Sequence, residues 1–147
     1  MTTTEALDID TVFPSVPESV AAVRRFVAIA LARADVNEDW IEDACLLVSE
    51  LASNVLLHTD SPIRVRVLAT DELIRVEVGD NTPEPADMWP DSIGLFGGRG
   101  LQIVDTLASR WSSVPTARGK IVWFELGETS RLGPHIKLNH VSSGVVS

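Results

Sequence analysis

The chain has one cysteine in 147 residues, so no intramolecular disulfide can form, and Cys45 among Ala44, Leu46 and Leu47 reads as a small buried hydrophobe. No apolar run approaches the ~20 residues that span a bilayer, and MTTTEALDID has neither the basic nor the apolar region of a signal peptide. The expectation is a cytoplasmic protein without a membrane anchor. Basic residues are also scarce: twelve against twenty-one acidic ones leave a net charge of −9, which repels phosphate backbones. Direct nucleic-acid binding is therefore disfavoured, and a nucleotide needs local amides, an arginine or a divalent cation to offset that field.

What is present is an ordinary globular balance, 45% apolar and 22% charged, enough to build one packed core. Residues 1–8 and 127–147 read as tails, the latter combining Gly, Ser and Pro with little periodicity, and one domain is expected over 9–126. Val20, Val23, Phe26, Val27, Ala30 and Leu31 recur at helical spacing after Pro17 and Glu18. A second helix, capped by Asn37, carries Trp40, Ile41, Ala44, Leu47, Val48, Leu51 and Val55 on one stripe and runs to about His58.

The period then shortens to two. Ile63, Val65 and Val67 alternate with Arg64 and Arg66, and Ile74, Val76 and Val78 with Arg75 and Glu77. A third helix over Leu101 to Ala108 and a strand pair at Arg110 to Val114 and Ile121 to Leu126 complete the order. Strands with charges at every second position cannot be covered on both faces without burying those charges unpaired. This predicts an α+β two-layer sandwich, a largely antiparallel mixed sheet with its helices on one face.

Three places carry chemistry. Glu50, Asn54 and His58 stack at four-residue intervals along the second helix, and a carboxylate one turn from a carboxamide suits a Mg²⁺ nucleotide, the amide oxygen serving the metal and the carboxylate an attacking hydroxyl. Asp80 ends a strand just after Gly79, where it can accept from an exocyclic amine. Four glycines between Gly94 and Gly100 lead into a helix, exposing amides for phosphate beside Arg99, and no Gly-Lys-Ser or Gly-Lys-Thr closes them as in a P-loop. Taken singly, each has a bland reading as a solvated flank, a turn aspartate or a flexible loop.

In that order these segments resemble the N, G1 and G2 boxes of the GHKL ATPases, and VSELASNVLLH, VEVGDNTPEPAD, GGRGLQIVDTLASRW and GKIVWFEL resemble the anti-sigma-factor serine/threonine kinases. The resemblance implies the GHKL (Bergerat) fold, with ATP and Mg²⁺ as cofactors, Glu50 as general base and Asn54 as metal ligand. It implies that Asp80 contacts adenine, that Gly98, Arg99, Gly100 and Leu101 cradle phosphate, and that His58 and Thr82 fall within the nucleotide-contacting set. It further implies a homodimer that holds a sigma factor and phosphorylates a serine on an anti-anti-sigma antagonist. Thr82 and Glu84 stand where the broader family has glycines, which motivates the alternative of a non-catalytic module acting by protein binding alone. A histidine-kinase catalytic half is disfavoured, since no phospho-acceptor helix pair is expected ahead of the domain.

Overall fold

The computed structural model describes residues 6–82, 104 and 106–127. Five strands form one sheet in the order β1-β2-β3-β5-β4: β1 Leu7–Phe13, β2 Ile63–Ala69, β3 Leu73–Asp80, β4 Arg110–Pro115 and β5 Lys120–Gly127. Every neighbouring pair in it is antiparallel, so the expected mixed character is absent among the described strands. Two helices, α1 Glu18–Arg33 and α2 Glu38–His58, separate β1 from β2. Of the third helix, Val104, Thr106 and Leu107 are described as helical, and Ala108 N–H donates to the Val104 carbonyl at 2.9 Å.

Strand β1 begins at Leu7, inside the span read as a polar tail. Its LDIDTVF sequence alternates between half-buried and exposed positions, and its full length pairs with β2, so burying Ile9 and Phe13 beside the core outweighs two exposed aspartates. Helix α2 starts where Asn37 Oδ1 accepts from Asp39 N–H at 2.7 Å, and Glu38 and Asp39 lie in its first turn, where the helix dipole favours negative charge. It ends with Thr59, whose hydroxyl and N–H both donate to the Val55 carbonyl.

Between the helices and one face of the sheet lies the core. Val23, Val27 and Leu31 of α1 and Leu47, Val48 and Leu51 of α2 cluster with Ile63, Val65, Val67, Ile74, Val76 and Phe124. Alternation then sends Arg66, Arg75, Glu77, Trp123 and Glu125 to the opposite face. There Arg66 forks onto Asp8 at 3.0 and 2.9 Å, and Arg75 bridges Glu77 at 3.0 Å and Glu125 at 3.1 Å. Arg110 reaches Glu125 at 3.5 Å, and the guanidiniums of Arg75 and Arg110 lie 4.0 and 5.9 Å from the Trp123 ring centroid. The charges that ruled out a second helical layer thus form a ladder across all five strands. Cys45 is half-buried rather than buried: it packs at the α1 side of α2, with its thiol 3.7 Å from the Arg24 carbonyl.

Candidate functional site

Ten residues of helix α2 are buried, Ala44 and the unbroken run from Leu47 to Val55, and they include Glu50 and Asn54, each without solvent-exposed surface. Neither carboxylate oxygen of Glu50 and neither amide atom of Asn54 has a hydrogen-bond partner among the described residues. An unsatisfied buried polar group costs about 1–3 kcal/mol, more when charged, so two of them one helical turn apart demand a reason other than packing. Burial alone pushes the Glu50 carboxyl above its ordinary value of 4.5. His58, one further turn along, is half-buried, and its imidazole is held below 6.5 by burial first and by the Lys120 charge second.

At the end of β3, Asp80 is held on both oxygens. Thr82 N–H donates to Oδ1 at 2.7 Å, closing a local turn, and Lys120 Nζ donates to Oδ2 at 2.8 Å and more weakly to the Thr82 carbonyl at 3.4 Å. Asp80 and Lys120 are cross-strand partners in the β3–β5 register, so both side chains point to the helix-covered face, and each is 1% exposed. Asn81 N–H donates to Ser61 Oγ at 2.8 Å, which ties this strand end to the loop that leaves α2. Consequently His58, Asp80, Thr82 and Lys120 gather at one end of the sheet, while Asn54 and Glu50 lie about 6 and 12 Å further back along the helix axis.

The approach of the β4–β5 turn fixes this end. Thr116 N–H donates to the Gly119 carbonyl and Gly119 N–H to Thr116 Oγ1, folding the turn tightly. A Cβ on Gly119 would stand 1.9 Å from the Asp80 carbonyl oxygen and 2.6 Å from Asn81 Cα, so only glycine admits that contact.

The family model for the histidine kinase-like ATPase domain matches residues 13–126. The chain belongs to that family. The assignment implies ATP as its ligand, and the match runs from the last residue of β1 into β5. Among solved structures, the RsbU and RsbW domains of Rv1364c from Mycobacterium tuberculosis match with a TM-score of 0.62 at 17% identity, over 82% of this chain and 32% of that one. The likeness is therefore one of fold, and this ATPase-family chain spans about a third of the length of that protein. No curated protein matches it in sequence. No helix among the described residues is long and apolar enough to cross a membrane.

Of the expected site residues, Glu50, Asn54, His58, Asp80 and Thr82 are placed as above; Gly98, Arg99, Gly100 and Leu101 lie outside the described residues. Two cavities, of about 220 and 480 Å³, open around Arg64, Gly79 and Ile121, the smaller also touching Asp80 and Lys120. Neither is lined by Glu50 or Asn54, and the larger belongs to the charged outer face. Sequence reasoning assigned no role to Lys120, which stands one residue ahead of the strand expected from Ile121. The signal was the strand parity: Lys120 shares the inward register of Val122, Phe124 and Leu126, and a charge on an apolar register asks for a partner.

Proposed function

We propose that the chain is an ATP-binding anti-sigma regulator that holds a sigma factor and, with Mg²⁺, phosphorylates a serine on an anti-anti-sigma antagonist. The observation that carries this reading is the pair of buried, unpartnered groups on α2, Glu50 and Asn54. Family membership supports the nucleotide, and the RsbW-like fold together with the quoted sequence phrases supports the partners.

Four orphaned polar atoms on one helix flank fit a hydrated cation and a hydroxyl nucleophile better than an apolar neighbour. Asn54 Oδ1 would hold Mg²⁺, whose remaining positions suit phosphate oxygens and water, and Glu50 would take the proton of the attacking serine hydroxyl. Its raised pKa makes it a stronger base than an exposed glutamate once ionised. Asp80 would accept from the adenine amine, His58 and Thr82 would flank the base, and the amides of Gly98 to Leu101 with Arg99 would receive the phosphates. ATP supplies the transferable phosphoryl group. The working form would be a cytoplasmic homodimer, which sedimentation of the purified chain tests.

A mixture of the protein, Mg-ATP and the cognate antagonist should yield phosphoserine, and Asn54→Ala should weaken the Mg²⁺-dependent part of ATP binding by about tenfold. Absence of phosphoserine while ATP still binds would reject the kinase half.

One observation favours a second reading. Asp80 already has both oxygens engaged, and Thr82 and Glu84 replace flexible glycines beside it. A module of this fold that regulates by protein contact alone would bind its partner without ATP dependence and give no calorimetric heat with Mg-ATP.

A further inference from the structure

The buried Asp80–Lys120 pair is not what packing alone selects. The other inward positions of β5 are Val122, Phe124 and Leu126, and an apolar pair in place of a buried ion pair is commonly as stable or more so. What the pair offers instead is an acceptor and a donor side by side. Oδ2 and Nζ stand 2.8 Å apart, held by the β3–β5 register and, through Oδ1, by Thr82 N–H. Each carboxylate oxygen can accept twice, and an ammonium carries three donors. The Nζ contact to the Thr82 carbonyl, at 3.4 Å, is long, so that donor can be redirected at small cost.

We infer that Lys120 is a second base-reading residue: Asp80 accepts from the exocyclic amine of adenine while Lys120 donates to the adjacent ring nitrogen N1. The inference rests on the adenine-nucleotide reading of this site. An amine on Oδ2 brings the neighbouring ring nitrogen toward Nζ, and the donor-beside-acceptor edge of adenine mirrors the acceptor-beside-donor edge of the pair. A guanine edge, with its order reversed, is the competing occupant that shares this chemistry.

Functional-group substitution on the nucleotide tests this without altering the protein. In calorimetric titration of the full chain with Mg²⁺ present, 1-deaza-ATP, which lacks N1, should bind about ten- to a hundredfold more weakly than ATP, because a buried donor loses its partner. Lys120→Met should bind the two nucleotides alike, and Lys120→Arg, which keeps a charged donor, should still prefer ATP. Equal affinity of the unaltered protein for ATP and 1-deaza-ATP overturns the role of Lys120, as does a Lys120→Met protein that still discriminates. Should Lys120→Met not fold, as judged by thermal melting, the unaltered protein and Lys120→Arg decide. Tighter binding of GTP than ATP overturns the adenine assignment. Silence with every adenine nucleotide sinks the site reading itself, an outcome distinct from binding without discrimination.

Discussion

Replacing Glu50 by glutamine should make the protein more stable and far less active, and the size of the gain should depend on pH. Glu50 has no exposed surface, and neither carboxylate oxygen has a partner among the described residues, so its ionisation in the fold is opposed by burial alone. A carboxyl whose folded pKa is raised contributes fully below its unfolded value, near 4.5, and loses that contribution as pH rises through the folded value. Glu50→Gln removes the charge and keeps the shape. The variant should melt with the parent below pH 4.5 and pull ahead as pH climbs toward 8, by about 1–2 kcal/mol, the excess cost of a buried unpaired charge over an amide. For a chain of this size that is roughly 3–10 °C in melting temperature. Thermal melts of both proteins from pH 4 to 8 measure it, and serine phosphorylation should fall about 10²- to 10⁴-fold in the same variant. A difference in melting temperature that is absent, or the same at every pH, would refute the claim that this carboxylate is strained by its surroundings.

Three further outcomes follow from the geometry. Gly119→Ala should lower both the melting temperature and ATP affinity, because its Cβ must displace the Asp80 and Asn81 backbone, whereas Arg118→Ala on the exposed turn should be silent in both assays. Arg75→Ala should destabilise by about 1–3 kcal/mol in urea titration, since it removes a cation over Trp123 and a partner from Glu77 and Glu125. His58 should titrate below 6.5 by NMR and shift upward in Lys120→Met, where the neighbouring positive charge is gone.

The helices were legible because their information is local. A 3.6-residue period, Asn37 at the cap and a carboxylate one turn before a carboxamide lie within a single stretch, and α2 follows that stretch to His58. Strand β1 was not: seven residues of alternating LDIDTVF owe their place to pairing with β2, whose partners lie fifty or more positions away. Lys120 was obscured for the same reason. Its meaning arises only when the β3–β5 register sets it opposite Asp80, a coincidence between residues forty apart. Likewise, Arg75 and Glu77 announced a wet face, but their closure around Trp123 depends on β5 lying between β3 and β4.

That insertion has a consequence for how the domain is made. Because β5 is the filling between two earlier strands, a growing chain that has reached Pro115 has a hairpin edge on β3 and an orphaned β4, and nothing yet to join them. The lysine that pairs with Asp80 emerges only afterwards, so that end of the sheet can close only once residues 120–127 have been made.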